Sequence, residues 1–274
     1  MTDTSTRELL PEKQYIRDKL MGGEKSSICR YADLVVGEGA SYGQLLKYEL
    51  ITGLFGGLPG ALGLALRQLF YPSLFKRTGK GVVFGRHVVI RNAGNISLGD
   101  RVIIDDCCVI DGRGAGPAGV VIGDRVIVNR GTTIQAKIGP IQIGDDCDIG
   151  TGSMLQSQGG VYIGRAVVIG GGCKISGGAF QIERSAPDSE ASADALREGM
   201  VAREQTRWTS GPVRLHDKCL IGMGAIILDG VDVGEGSVIG AGTVMAKSVP
   251  AYAVVAGVPG RVLRMRDPAA ADKV

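Results

Sequence analysis

The sequence repeats with a period of six residues. From Phe84 onward an apolar side chain returns at every sixth position, in runs that are separated by a few longer steps. These positions are Phe84, Ile90, Leu98, Ile104, Ile110, Ile122, Val128, Ile134, Ile143, Ile149, Leu155, Ile163, Ile169, Ile175, Leu215, Ile221, Ile227, Val233, Ile239 and Met245. Ordinary alternating strands have a period of two, and they give no reason for a six-residue step. The repeat therefore predicts short strands joined by regularly spaced corners.

Two other positions of the repeat indicate the shape of each coil. In half of the repeats Gly directly follows the apolar residue, where it relieves crowding as the chain bends. Four residues after the apolar residue the side chain is usually small or β-branched, which suits a narrow interior where three walls converge. Such residues stand at Val102, Cys108, Thr132, Cys147, Ser153, Cys173, Cys219, Ala225, Ser237 and Thr243. Three repeats then form one triangular coil, and successive coils stack as parallel strands about 4.8 Å apart.

The composition agrees with this thin, aliphatic core. The chain has 44 Gly but only 5 Phe, 7 Tyr and 1 Trp among 274 residues. Each buried apolar residue contributes roughly 1.5–3 kcal/mol, so the stack needs no covering layer of helices. The net charge of +3 and the lack of a dense basic block exclude nucleic acid as an expected partner.

Every departure from the six-residue step falls at one corner, between the third wall of one coil and the first wall of the next. The steps are 90–98, 110–122, 134–143, 155–163 and 175–215. Loops stacked on one edge of a rigid scaffold commonly carry function. The longest loop, 176–214, contains a polar, Ala-rich stretch at 185–202, which is expected to be a mobile flap or a short helix. A tolerated surface insertion is the alternative interpretation.

From about Gly81 to Arg264 the pattern resembles the hexapeptide-repeat acyltransferase family. The stretch from Ile221-Gly222 through Gly240-Ala241-Gly242 into the tail is similar to the C-terminal signature of its acetyltransferase branch. The resemblance implies an all-β fold: a left-handed parallel β-helix with an N-terminal helical extension and one long inserted loop. On this basis residues 1–80 form the extension, 81–249 the β-helix, and 250–274 a C-terminal cap and tail.

The same resemblance implies a coenzyme A thioester as co-substrate. In the family the pantetheine arm lies along the last coils, and basic residues hold the nucleotide phosphates. Carried over, Gly222, Ala241 and Gly242 would line the arm, and Lys247 and Arg261 would meet phosphate. The resemblance further implies a homotrimer that moves an acyl group, expected to be acetyl, to a hydroxyl or amine of a saccharide-like acceptor.

The catalytic base is not evident from the sequence, because the chain has only two histidines. His87 lies in the first coil, whereas His216 directly follows the long loop. In related enzymes the catalytic His often stands early in that loop, but here Gln181 occupies the place, and Gln cannot act as a base. Three interpretations follow. In the first, His216 is the base. In the second, either Glu183 is the base or the acceptor is an amine that needs little help; in the third, the chain is a catalytically silent relative that binds a ligand or serves as a scaffold. His216 also fits a purely structural corner position.

Two histidines exclude the β-helix carbonic anhydrases, which need three around zinc, and no metal is expected. Cysteines occupy the inward small position four times, at Cys108, Cys147, Cys173 and Cys219, and this predicts structural burial. Six Cys without an N-terminal apolar leader favour a reducing, cytoplasmic environment.

Residues 45–75 form an apolar segment ahead of the repeat. Glu49, Pro59 and Arg67 interrupt it, so it is a poor transmembrane span. The segment fits two helices packed on the first coil or on a partner subunit. It also fits an interfacial hairpin at the inner face of a membrane, because several Lys and Arg residues lie nearby.

Overall fold

The computed structural model describes residues 26–114, 119–182 and 206–268. In the described residues three helices precede the strands: α1 (Ser27–Val35), α2 (Tyr42–Phe55) and α3 (Gly60–Phe70). A 3₁₀ turn at Tyr71–Leu74 follows α3, and another, at Ala93–Asn95, lies among the strands of the first coil. Helix α2 begins where Ser41 accepts a hydrogen bond from the backbone of Gln44, whose side chain bonds back to the Ser41 backbone. This reciprocal cap satisfies two backbone N–H groups that the first turn leaves unpaired.

The strands form three walls of parallel sheet. Wall one contains β1 (Arg77–Thr78), β4 (Ile96–Leu98), β7 (Val120–Ile122), β10 (Ile141–Ile143), β13 (Val161–Ile163), β18 (Val213–Leu215) and β21 (Asp232–Val233). Wall two contains β2 (Val83–Phe84), β5 (Ile103–Ile104), β8 (Ile127–Val128), β11 (Asp148–Ile149), β14 (Val168–Ile169), β19 (Leu220–Ile221), β22 (Val238–Ile239), β24 (Ala253–Ala256) and the antiparallel edge strand β25 (Arg261–Met265). Wall three contains β3 (Val89–Arg91), β6 (Val109–Asp111), β9 (Thr133–Ala136), β12 (Met154–Ser157), β15 (Lys174–Ser176), β20 (Ile226–Ile227) and β23 (Val244–Met245).

This arrangement confirms the fold expected from the repeat, a parallel β-helix with an N-terminal helical region. All 20 repeated positions from Phe84 to Met245 are at most 5 % exposed. The ten small positions four residues later are buried as well. Successive coils pair in register, so that Ile143, for example, stands between Ile122 and Ile163. The core is therefore a set of aliphatic columns that run along the axis of the helix.

The polar side chains at the inward small positions donate hydrogen bonds along that axis. The hydroxyl of Ser153 donates to the carbonyl of Gly170 in the next coil at 3.0 Å, and Thr132 donates to Gly150 at 3.1 Å. The thiols do the same: Cys173 donates to the carbonyl of Gly222 at 3.2 Å. Most of these buried hydroxyls and thiols are thus satisfied by the coil that follows, which explains why small polar residues are tolerated inside; the buried Thr243 hydroxyl is an exception and has no partner among the described residues.

A column of aspartates marks the corner between walls one and two. The Asp100, Asp124 and Asp145 carboxylates each accept the backbone N–H of the equivalent residue one coil earlier, at 2.7–2.8 Å. Asp217 accepts the N–H of Arg165 in the same way, and this bond holds the pKa of its carboxyl below the ordinary value. The carboxylates therefore fix the vertical spacing of this corner.

The helices close the first coil. Arg67 is 3 % exposed, and its guanidinium donates to the carbonyl of Phe84 in β2 and to two carbonyls near the end of α2. The Tyr48 hydroxyl donates to the carbonyl of Ile90 in β3 at 2.8 Å, and burial raises the pKa of this phenol to about 12. Packing of residues 45–75 on the first coil, one of the two expectations for this segment, is what the structure shows.

The last coil is closed on all three walls. On wall one, Val249 accepts a hydrogen bond from Gly234 and bridges to Val233. On wall two, β24 continues the parallel ladder, and β25 then folds back antiparallel against it. On wall three, the Val244 backbone exchanges hydrogen bonds with Gly257 and Gly260 in the turn between these strands.

The long loop leaves the corner between walls three and one as a hairpin. Its arms are β16 (Gly178–Ile182) and β17 (Thr206–Ser210), which pair antiparallel. The sequence did not predict these two strands. The flap or helix expected over residues 185–202 lies outside the described residues.

Candidate functional site

The structure brings three of the predicted donor-binding residues together at one corner. Gly222 follows β19, and Ala241 and Gly242 follow β22, so all three lie where wall two turns into wall three, in successive coils. A Cβ added to Gly222 would lie 2.5 Å from the backbone nitrogen of Ala241, so only Gly permits this close stacking. Gly242 has φ +66° and open space in front of it. Close stacking and positive φ are both conditions that favour glycine, and together they leave the corner free of large side chains.

Exposed apolar atoms flank this corner. Met223, next to Gly222, is 69 % exposed, and Val258, in the turn that packs on wall three, is 72 % exposed. A strip of bare backbone between exposed apolar side chains suits a long, thin ligand with both amide and hydrocarbon portions.

The two predicted phosphate-binding cations lie on either side of the last coil. Lys247 follows β23 near the corner between walls three and one, whereas Arg261 opens β25 and pairs in register with Ala256. Both side chains are exposed, and no acidic partner is found for either of them among the described residues. Their charges are consequently available to a ligand.

His216 lies at a different corner, between walls one and two. Its Nε2 atom is 2.7 Å from Oδ1 of Asp232, and both side chains are about half exposed. The Asp232 backbone is held in turn by the hydroxyl of Ser248, which accepts its N–H at 2.9 Å. A histidine oriented by a carboxylate is the arrangement in which the second ring nitrogen can accept a proton.

More polar groups surround this pair on the outer face of wall one. Tyr162, Arg214 and Asp232 are register neighbours on β13, β18 and β21. The Arg214 guanidinium lies 5.4 Å from the centre of the Tyr162 ring. Asp232 was missed at the sequence level, although the pattern contained a signal. The two register partners Arg214 and Asp232 are eighteen residues apart, which is the length of one coil. Asp232 therefore lies in the coil that follows β18, diagonally across from His216.

The other candidates for the base have separate positions. Gln181 is in β16, where its backbone pairs with Arg207, and Glu183 lies outside the described residues. His87 is in the first coil, and its backbone N–H donates to the carbonyl of Gly56 at 2.9 Å. His87 is thus remote from the hairpin, as its place in the sequence indicated.

Within one chain His216 and the donor-binding corner lie at different corners of the β-helix. His216 precedes the wall-two strand β19 and Gly222 follows it, six residues later. Adjacent corners of a triangular prism face different directions. The two halves of the candidate site therefore belong to different edges of the same β-helix.

The structure confirms that four cysteines are buried and structural. Cys108, Cys147, Cys173 and Cys219 are free thiols at most 2 % exposed. Burial raises the pKa of each, and those of Cys108, Cys147 and Cys219 reach about 11. These thiols are poor nucleophiles and poor metal ligands. The described residues contain no group of three His, Cys, Asp or Glu side chains suited to a metal ion.

A shallow cavity of about 280 Å³ lies at the opposite end of the molecule, between α3 and wall two. It is lined in part by Arg67, Arg86, Asp105 and Asp106. Arg67 is used by three backbone carbonyls, and Arg86 pairs with Asp106 at 3.4 Å. Its charges are engaged within the protein, and none of the predicted site residues lines it.

Two protein families match the repeat. The bacterial transferase hexapeptide (six repeats) matches residues 212–247, and the hexapeptide repeat of succinyl-transferase matches residues 140–177. In these two stretches the six-residue period recognised in the sequence is similar to the hexapeptide repeat of these transferases. The two matches flank the hairpin, and the second half of the chain contains both parts of the candidate site.

Curated relatives cover only a part of the chain. A 2,3,4,5-tetrahydropyridine-2,6-dicarboxylate N-acetyltransferase of Clostridium perfringens is 45 % identical over 62 residues, which are 23 % of this chain and 26 % of that protein. The enzyme of the same name from Staphylococcus aureus is 46 % identical over 56 residues, or 20 % of this chain and 23 % of that protein. The chain thus spans about a quarter of the length of these relatives.

Among solved structures, a variant of AntD, an N-acyltransferase from Bacillus cereus in complex with dTDP and coenzyme A, aligns with a TM-score of 0.51. The identity is 21 %, over 75 % of this chain and 92 % of that chain. A second AntD variant, in complex with dTDP-4-amino-4,6-dideoxyglucose and coenzyme A, has a TM-score of 0.50 and 21 % identity, over 72 % of this chain and 87 % of that one. At this level of identity the likeness establishes the fold.

Proposed function

We propose that this hexapeptide-repeat protein transfers an acyl group, with acetyl as the expected one, from a coenzyme A thioester to an amine of a saccharide-like acceptor. The observation that carries the proposal is the coincidence of two features within residues 212–247. That stretch matches the bacterial transferase hexapeptide, and the His216–Asp232 pair, Gly222, Ala241 and Gly242 all lie in it. Fold alone would not assign an activity, whereas a built site within the matching repeats supports one.

An amine rather than a hydroxyl is the favoured acceptor group. The curated relatives are N-acetyltransferases, and AntD is an N-acyltransferase whose complexes contain a dTDP-linked amino sugar and coenzyme A. A neutral amine attacks a thioester with less assistance than a hydroxyl does.

His216 is proposed as the general base. In the tautomer that donates its Nε2–H to Asp232, the Nδ1 atom carries the lone pair. The acceptor nitrogen attacks the thioester carbonyl and forms a tetrahedral intermediate, and Nδ1 takes the proton that the nitrogen loses. Collapse of the intermediate breaks the carbon–sulfur bond, and the proton passes to the leaving thiolate of coenzyme A. A base placed in this way is worth roughly 10²–10⁴ in rate.

The active site is proposed to form between subunits of a homotrimer. Because the base and the donor-binding corner face different edges of one chain, a second copy must bring them together. The outer face of wall two supplies an apolar surface for this contact. Its outward-facing residues, which pair in register from coil to coil, are Val83, Ile103, Ile127, Asp148, Val168, Leu220 and Val238, and only Asp148 among them is polar. The corresponding column on wall one is largely polar, so wall two is the more suitable contact face.

The donor assignment is tested by calorimetric titration with coenzyme A. Lys247→Ala and Arg261→Ala should each weaken binding, more strongly at low salt, because each variant removes a phosphate partner. Arg86→Ala, which removes an exposed cation in the first coil, is the matched control and should leave the affinity unchanged. Unchanged affinity in both test variants would refute the donor assignment.

The base is tested by kinetics with acetyl-CoA and an amino sugar linked to a nucleotide. His216→Ala should lower kcat by roughly 10²–10⁴ and leave coenzyme A affinity intact, whereas His87→Ala should leave both unchanged. If His216→Ala lowers only stability, His216 is a corner residue and Glu183 is the next residue to change. Saturable coenzyme A binding without turnover of any amine or hydroxyl would favour the scaffold alternative.

A further inference from the structure

Helix α2 is apolar on both of its faces, although only one of them is covered. Its inner face packs on α1 and the first coil, where Leu45 and Ile51 are buried. Its outer face presents a row at four-residue spacing, Tyr42, Leu46, Leu50 and Leu54, whose side chains are 50–69 % exposed. A helix that is hydrophobic all round is normally buried on all sides, and no described residue of the chain covers this outer face.

Helix α3 adds two more exposed apolar side chains next to α2. Leu62 and Leu69 stand two turns apart on its outer side, and each is about 70 % exposed. The two helices are joined by the rings of Phe55 and Phe70, whose centres are 4.6 Å apart in a stacked arrangement. We call the six leucine and tyrosine side chains the helical apolar face. They are Tyr42, Leu46, Leu50, Leu54, Leu62 and Leu69.

The charge of this part of the chain is strongly one-sided. Residues 50–99 contain six Lys and Arg residues and no Asp or Glu, although the whole chain has 31 basic and 28 acidic residues. Glu49, in α2, accepts a hydrogen bond from the Tyr31 hydroxyl at 2.7 Å. Arg77 opens β1, Lys80 precedes β2, and both side chains are exposed. The stretch of chain that follows the helical apolar face thus has a positive net charge.

We propose that the helical apolar face docks the protein on the surface of an anionic phospholipid bilayer. Apolar side chains at the level of the acyl boundary, bordered by Lys and Arg at the level of the headgroups, are the two components of interfacial binding. A second copy of this chain is the poorer occupant, because it would bring a second stretch of positive net charge against the first. The contact is peripheral, since no helix of the described part of the chain is long and apolar enough to cross a membrane.

Docking in this way would set the orientation of the β-helix. The helices close the first coil, whereas Gly222, Ala241, Gly242 and the cap formed by β24 and β25 lie at the last coils. The bilayer would hold the first coil, and the last coils would face the aqueous phase. Soluble ligands could therefore still reach them.

The test is sedimentation of the full chain with phosphatidylcholine vesicles that contain phosphatidylglycerol. Leu46→Gln/Leu50→Gln should lower the partition coefficient at least about tenfold, because each leucine loses its apolar contact. Leu263→Gln is the matched control: Leu263 is 66 % exposed, in β25 at the opposite end, and its substitution should change nothing. Arg77→Gln and Lys80→Gln should each cost about fivefold, and high salt should have the same effect. Thermal melts of all variants verify that these exposed substitutions leave the fold intact.

Three results would overturn the proposal. The full chain would fail to sediment with anionic vesicles, or it would bind them as well after Leu46→Gln/Leu50→Gln as before. Alternatively, Leu46→Gln/Leu50→Gln would reduce the oligomeric state in analytical ultracentrifugation without vesicles, and the helical apolar face would then be a contact between copies. Equal binding to vesicles of phosphatidylcholine alone would contradict the electrostatic part of the proposal.

Discussion

Arg67 is a buried cation whose hydrogen-bond partners are backbone carbonyls, and its removal should be costly. The guanidinium donates to the carbonyls of Phe84 at 2.9 Å, Phe55 at 3.1 Å and Leu58 at 2.8 Å. A hydrogen bond to a charged group contributes about 1.5–3 kcal/mol, and a buried carbonyl left unpaired costs about 1–3 kcal/mol. Relief of the desolvation of the guanidinium offsets part of this loss. Arg67→Met, which keeps the volume, should therefore lower the free energy of unfolding by about 3–5 kcal/mol.

Urea denaturation of Arg67→Met and of a matched control measures this loss. The control is Arg86→Met, because Arg86 lines the same cavity as Arg67 but is half exposed and pairs with Asp106 at the surface. Its substitution should change stability by less than about 1 kcal/mol. Hydrogen exchange should show that protection is lost first in α2, α3 and β2. A loss below about 1 kcal/mol in Arg67→Met would refute the claim that these carbonyls depend on the guanidinium.

Three other outcomes are expected. Gly222→Ala should destabilise the protein by about 1–3 kcal/mol, because its Cβ would meet the backbone of the next coil, whereas Gly94→Ala, with open space around it, should be neutral in the same thermal melts. In the native protein the exposed Cys107 thiol should react with a disulfide reagent at once, and the four buried thiols should react only after denaturation. Asp217, whose pKa is lowered by the N–H of Arg165, should stabilise the fold above its ordinary pKa and lose this effect as pH falls through the folded-state pKa. The difference in Tm between the protein and Asp217→Asn should therefore be largest near neutral pH and disappear in acid.

The fold was largely predictable because its physical cause is repeated many times along the chain. Each of the 20 apolar positions gave the same spacing, so the assignment of Ile143, Ile149 and Leu155 to three different walls needed no long-range information. The small inward positions, including the four cysteines, followed from the same geometry. The left-handed turn did not follow from the spacing; it came from the resemblance to the hexapeptide-repeat family.

Features that occur once were less predictable. The strands β16 and β17 break the repeat and depend on each other, so nothing in the six-residue pattern indicated them. The partner of His216 was also missed. Asp232 follows it by sixteen residues and meets it only because one coil spans eighteen, a fact that requires the coils to be stacked first. The donor-binding residues were predicted by resemblance, and their assignment stays a prediction.

The closure of the last coil determines how long the β-helix can become. Parallel strands leave unpaired N–H and C=O groups at each end of the stack, and such edges can template the addition of further chains. Here β25 reverses direction against β24, and the turn between them together with Val249 covers the other two walls. An incoming parallel coil would meet an antiparallel edge strand instead of a parallel ladder. Removal of the residues after Met245 should therefore open the parallel ladder at this end only, because the helices close the other end, and two copies should then associate through the opened edge.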